Sequence, residues 1–197
     1  MPTTPAATAT AAFGTHVVTP DRPKPAEMDL AADPAVAGAF EKAVAPVLSV
    51  ASSQASRVVN CDDIPWTPFP MPGTSYKLLN INETTGGATF LLYVSEGAQA
   101  PLHRHLGGAE AYNIFGRWAY EGEDNDVIGP NCYIYEPAGI THLPQQEAEA
   151  MMFGIFHGPV VGYDENGAVA GVIDADLLYD LAAANNAVGH LPPRANR

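Results

Sequence analysis

Two histidines separated by one residue, His103-Arg104-His105, sit in the stretch APLHRHLGGAEAYNIFGRW, residues 100–118. The stretch reads as β-strand. Side chains alternate faces along a strand, so His103 and His105 point one way and Arg104 the other. With Cα atoms about 7 Å apart, the two imidazoles can converge on one ion. Imidazole suits iron, zinc, copper and nickel alike, so the pair implies metal chemistry without naming the metal. A second stretch, residues 129–142, reads GPNCYIYEPAGITH. It holds a glycine, a strand, a Pro137-Ala138-Gly139 turn that re-aims the chain, and then His142. The alternative for all three histidines is a place in the core or on the surface.

The elements that must position these residues follow from composition and pattern. The chain has 197 residues, 47% of them hydrophobic, with 18 glycines and 18 prolines. That fits one domain of short elements and many turns, with an appended arm. The formal charge is −13, with nine Lys and Arg. Such a surface repels phosphate backbones and anionic lipid, so neither nucleic acid nor a membrane is an expected partner. Cys61 and Cys132 form no CxxC motif and read as two thiols of a reducing compartment. The first residues show no basic, apolar leader pattern, and no apolar run approaches the roughly 20 residues that span a bilayer. A soluble, cytoplasmic protein is expected.

Residues 1–26, rich in Ala, Thr and Pro, read as an arm. A helix follows over about 33–48, with Asp33 as cap, Pro34 in its first position and Val36, Phe40, Val44 and Leu48 at helical spacing. From about residue 62 the texture changes. SYKLLNIN and GATFLLYVS flank ETTG as a hairpin, AYNIF and RWAYEGE flank Gly116 as a second, and CYIYEP and AMMFGIFHG are further strands. VVGYDENGAVAGVI carries Asn166-Gly167 between apolar runs, the strongest short-range hairpin cue. Many short strands with regular turns predict an all-β sandwich or barrel. IDADLLYDLAAANNAVG closes as a helix, capped by Asp174 or Asp176 and ending near Gly189. The boundaries read from sequence are 1–55 for the arm and helix, 56–173 for the barrel and 174–197 for the C-terminal helix and tail.

The spacing of HxH, a glycine eleven residues later, and then G…PxGxxH resembles the two-part signature of the cupins over about residues 60–160. That resemblance implies a double-stranded β-helix barrel of the jelly-roll class. It implies that His103, His105 and His142 bind one divalent metal inside it. Typical cupins add a glutamate seven residues before the hairpin glycine, which here falls on Ala109. Glu110 is adjacent but one residue out of register; a one-residue slip turns a strand side chain to the other face unless a bulge intervenes. Cupins are mostly dimers or higher oligomers with exchanged arms, which implies a homodimer or homotetramer through the helix near 33–48.

The stretches IPWTPFPMPGTSYKLL, PLHRHLGG, AYNIFGRWAYEGE, YIYEPAGITH and YDENGAVAGVID are, in order and spacing, similar to the 2,4′-dihydroxyacetophenone dioxygenase family, over about residues 60–180. The acetylacetone-cleaving dioxygenase is a related three-histidine cupin. This resemblance implies non-haem iron(II), or another divalent metal, and O₂-dependent cleavage of a carbon–carbon bond in an aryl hydroxyketone or β-diketone. Family members carry a glutamate after the Trp-x-Tyr of the second hairpin. Glu123 is the nearest match, given one inserted residue, and Glu121 shares its face. If the strand re-enters the barrel, one of the two is a distant metal ligand or a base; otherwise both belong to a solvated acidic loop. The segment EGEDNDVIGPN is longer and more acidic than the family pattern, and Leu143 stands where the family has Thr. Tyr112, Trp118 and Tyr120 are candidate walls of an aromatic pocket, with Phe115, Tyr133 and Tyr135 further options; each is equally suited to core packing. His157 is a candidate outer donor.

No GxSxG, P-loop or dinucleotide fingerprint is present. The functions that remain are an iron dioxygenase, a cupin isomerase, cyclase or decarboxylase on the same histidines, and a non-catalytic ligand-binding cupin.

Overall fold

A computed structural model describes residues 57–121, 127–146, 148–192 and 194. The expected arm, the helix at 33–48 and Glu123 lie outside the described residues. The chain divides into two units, Met1–Ser56 and Arg57–Arg197, and every element below belongs to the second.

After a 3-10 turn at Cys61–Asp63 come β1 (Thr67–Pro68), β2 (Thr74–Asn82), β3 (Gly87–Val94), β4 (His103–His105), β5 (Ala109–Phe115) and β6 (Trp118–Tyr120). Then follow β7 (Tyr133–Glu136), β8 (Thr141–His142), β9 (Pro144–Gln146), β10 (Ala150–Phe156), β11 (Val160–Tyr163), β12 (Val169–Ile173) and the helix α1 (Ala175–Ala184). One sheet runs β1-β2-β3-β10-β5-β7, another β12-β11-β4-β8, and β6 pairs with β9. Pairing is antiparallel throughout, and β3–β10, β4–β8 and β5–β10 join strands far apart in sequence. This is the all-β fold expected from the short strands, in the jelly-roll form that the cupin resemblance implies, with one C-terminal helix. No described helix is long and apolar enough to cross a membrane.

The first and last of the predicted hairpins form as read. β2 and β3 pair around residues 83–86. β11 and β12 pair around a turn in which the Asp164 carboxylate accepts from the Asn166 and Ala168 amides at 2.9 and 2.8 Å. The hairpin expected around Gly116 does not form. β5 pairs with β10 and β7, while β6 leaves for β9. Gly116, at φ +84°, turns that corner where its Cα lies against the backbone of Glu149 and Ala150.

The main core joins Phe69, Tyr76, Leu78, Phe90 and Leu92 to Leu178 and Ala182 of α1. Asp174 caps α1, its carboxylate accepting from the Leu177 amide at 2.9 Å. The helix ends before the expected Gly189. Asn186 adopts a left-handed φ of 56°, and the Asn185 side-chain amide donates to Trp66 O and Thr67 Oγ1 at 3.0 and 3.1 Å. Asparagine tolerates the left-handed region, so it ends the helix where a glycine was expected to.

Candidate metal centre

β4 and β8 pair so that His103 stands directly opposite His142. Alternation along β4 brings His105 to the same face, with Arg104 exposed on the other. The three rings lie with centroids 4.6 to 5.1 Å apart. One nitrogen from each lies within 4.8 Å of the other two. His105 and His142 are buried, at 2% and 5% exposure.

The hydrogen bonds fix how the rings face. His103 Nδ1 donates to Pro101 O at 2.9 Å. In a neutral ring this leaves Nε2 as a lone pair, and it points at His142 Nε2, 3.0 Å away. Glu136 enters from the end of β7, with Oε2 3.0 Å from His105 Nε2 and Oε1 3.7 Å from His142 Nε2. The His105–Glu136 approach is short but lacks hydrogen-bond alignment: both His105 nitrogens are buried without a hydrogen bond, as is His142 Nδ1. The Tyr120 hydroxyl donates to Glu136 Oε1. Its ring stacks on His142, 4.5 Å between centroids and 15° between planes.

Burial, followed by the neighbouring imidazoles, pushes His105 down to about 3 and His142 down to about 4. Burial also lowers His103, against the opposing effect of its bond to Pro101. All three are therefore neutral at pH 7, which makes the His105–Glu136 contact one between a carboxylate and an uncharged ring. Several lone pairs then converge on one point with few protons to share. A divalent cation would resolve that arrangement. The donor set fits a metal: His103, His105 and His142 would hold it, with Glu136 beside them.

The depressed values set a pH dependence for the metal-free protein. The unfolded chain takes up protons below about 6.5, while the folded rings resist down to about 3. Stability from these groups is thus complete above pH 6.5 and is lost as pH falls toward 3. The urea midpoint of metal-free protein is expected to drop between pH 6.5 and 5, before most carboxylates titrate. A His105→Gln variant should show a shallower drop, and equal slopes would contradict the assignment.

Not every residue proposed from sequence joins the centre. Alternation along β5 puts Ala109, Ala111 and Asn113 on one face and Glu110, Tyr112 and Ile114 on the other. The Glu110 carboxylate turns outward, accepting from Tyr133 at 2.7 Å and lying 2.8 Å from His157 Nε2. Its pKa is lowered, first by the Tyr133 bond and then by His157. β5 carries one irregularity, at Ile114 between Asn113 and Phe115, but it leaves Glu110 on the outer face, so Glu110 is not with the histidines, and His157 is engaged outside as well. Tyr112 is half-exposed and donates to Asn131 at 2.9 Å, which removes it from any pocket wall. Tyr133 and Tyr135 are more than 60% exposed. Trp118 is buried and lines the cavity beside the histidines. Tyr120 reaches the centre through Glu136 and His142.

Glu136 was missed by reading for motifs. Its signal is the alternation of YIYE: Ile134 is buried between exposed Tyr133 and Tyr135, and Glu136 shares its face. The cavity behind the histidines has a volume of about 110 Å³ and opens to solvent at its mouth. Its walls include Phe69, Met71, Phe90, Leu92, Met152 and Phe156.

Among solved structures, an RmlC-like cupin from Ralstonia eutropha JMP134 is 23% identical over 73% of this chain and 94% of its own, with a TM-score of 0.64. An acetylacetone dioxygenase from Acinetobacter johnsonii is 22% identical over 68% of this chain and 96% of its own, with a TM-score of 0.61. Both likenesses concern the fold. No curated protein matches the chain in sequence. The family model for the ChrR cupin-like domain matches residues 54–161, which hold every strand from β1 to β10 and all three histidines. By that match and by the jelly roll that carries it, this chain belongs to the ChrR cupin-like domain family.

Proposed function

We propose that the chain is a non-haem iron(II) dioxygenase that cleaves a carbon–carbon bond of an aryl hydroxyketone or β-diketone. The observation that carries this is the set of three neutral imidazoles, flanked by one carboxylate, at the head of an apolar cavity. Three protein ligands leave positions for a bidentate substrate and for O₂. The acetylacetone dioxygenase among the fold relatives makes this a reaction the fold accommodates. For a hydroxyketone the balance is one ketone plus one O₂ giving two carboxylic acids. Iron(II) bound here supplies the positive charge that acidifies a chelating ligand and the redox capacity that O₂ requires.

The chain's own residues do the rest. Pro101 fixes the His103 ring through Nδ1, and Tyr120 packs on the face of His142. The Glu136 carboxylate, held by the Tyr120 hydroxyl, is placed to take the proton that the ligand gives up on chelation. The apolar walls keep water from the reacting carbons.

Glu136→Gln preserves the shape and removes the base. Turnover is expected to fall about 100-fold, with the acid limb of the pH profile lost and one metal per chain retained. Unchanged turnover would show that the proton goes elsewhere. The reaction itself is tested by oxygen uptake of anaerobically iron-loaded protein against aryl hydroxyketones and β-diketones. Per O₂ consumed, a hydroxyketone is expected to give two carboxylic acids, and a β-diketone one carboxylic acid and one 2-oxoaldehyde. Turnover of a substrate without O₂ would favour a cyclase, isomerase or decarboxylase on the same histidines, and tight ligand binding without turnover a sensor.

A further inference from the structure

We infer that the cavity behind the histidines is a subsite for an uncharged, apolar substituent of the chelating ligand, and that it rejects anionic substituents. This rests on the reading of the three histidines as a metal centre. At one end the cavity touches His103, His105 and Glu136; the remainder is bounded by Phe69, Met71, Leu92, Val94, Met152 and their neighbours.

Of the polar side chains along these walls, Thr74 and Gln146 are engaged by the backbone, and Trp118 Nε1, buried without a hydrogen bond, is a neutral donor that carries no charge to balance an anion. Thr74 Oγ1 donates to Met71 O at 2.6 Å, and the Gln146 amide donates to Arg117 O at 3.4 Å and to Ala148 O. No lysine or arginine among the described residues lines the cavity. Lys77 is buried close by in sequence, but it sits on the opposite face of β2 from Thr74, where Nζ donates to Cys61 O at 2.7 Å and lies over Trp66. Arg104 turns away from the histidines on β4. Glu136, the charged side chain beside the histidines, is acidic, and Glu110 turns its carboxylate outward to Tyr133 and His157. A second carboxylate carried into this space would be desolvated with no cation to pair it.

The width of the subsite is set at Gly154. A Cβ there would stand 2.8 Å from the edge of the Phe90 ring, which rests against bare backbone. Phe90 packs edge-on to Phe156 at 4.7 Å, and Phe156 lies 5.4 Å from the His105 ring. Added bulk at 154 therefore displaces a ring that walls the cavity.

The test is calorimetric titration of the metal-loaded chain without oxygen, so that binding is read and not turnover. The probes are acetylacetone, benzoylacetone and the para-carboxy derivative of benzoylacetone. Benzoylacetone is expected to bind at least as tightly as acetylacetone, and the carboxy derivative more than about 100-fold more weakly than benzoylacetone. Met152→Lys should recover at least about tenfold of that loss by supplying the missing cation, while Met152→Leu should not. Gly154→Ala should weaken benzoylacetone more than acetylacetone. The comparison within the unmodified chain stands even where a variant fails to fold. Comparable binding of the neutral and carboxylate probes overturns the inference and leaves the metal centre intact. Binding of none of the three, with one metal per chain loaded, overturns the centre's reading as a chelating site and this inference with it.

Discussion

His105→Ala is expected to abolish metal binding while leaving the fold in place. His105 is one of three nitrogens that meet within 4.8 Å. Losing an outer partner of a metal ligand typically costs 10- to 100-fold in affinity, so losing a ligand should cost more than about 100-fold. The consequence for stability is less obvious. Alanine leaves a void beside Phe156, which destabilises. It also removes two buried nitrogens that have no hydrogen bond, which relieves a standing cost. The two oppose each other, so the melting temperature of the metal-free variant should stay close to that of the metal-free parent. Adding a divalent metal should raise the melting temperature of the parent by mass action and leave that of the variant unmoved. An equal metal-induced rise in both would show that the ion binds elsewhere.

Gly116→Ala has the largest expected effect on the fold itself. A Cβ at this position would lie 1.9 Å from the carbonyl oxygen of Glu149 and 2.4 Å from the Ala150 Cα. Both are backbone atoms of the approach to β10, which is paired on both sides and cannot yield cheaply. The left-handed φ adds about 1–2 kcal/mol for any residue with a side chain. Overpacking of this kind costs typically about 1–3 kcal/mol. The sum, about 2–5 kcal/mol, is a large share of the roughly 5–15 kcal/mol that holds a domain folded. For a chain of this length it corresponds to a fall in melting temperature of roughly 10 °C. Gly97→Ala supplies the control: φ is +73° but nothing lies within 4 Å of the added carbon. It should show the conformational cost alone, about 1–2 kcal/mol. Equal losses at the two positions would mean that the Glu149 contact carries no weight.

Gly116 also marks the limit of what the sequence made legible. Alternation reveals which residues of a strand share a face; it does not reveal which face looks inward, or which strand lies alongside. His103 and His105 were legible as a pair, because period two puts them together wherever the strand goes. Their meeting with His142 depends on β4–β8 pairing across thirty-odd residues, and the family resemblance, not the spacing, pointed to it. Around Gly116 the local pattern of apolar, glycine, apolar looked like a hairpin. The structure uses the same glycine to pass from one sheet to another, because the carbonyl of Glu149 presses on it.

Glu136 shows the converse. Nothing about an isolated glutamate before a proline announces a site. Only its shared face with buried Ile134, and the return of β7 beside β5, bring it to the histidines. Tyr120 was singled out as an aromatic wall. Its contribution is instead through its hydroxyl on Glu136 and its ring on His142.

The measurement that bears most directly on the central claim is the fate of isotopically labelled O₂. Iron-loaded protein would be supplied with an aryl hydroxyketone, whose two acid products keep their oxygens, under labelled gas in ordinary water. Both cleavage products would then be analysed by mass spectrometry. Dioxygenation at the three histidines predicts one labelled oxygen in each of the two products, with His103→Ala forming neither. Products that carry oxygen from water alone, or that form equally well without O₂, would contradict it.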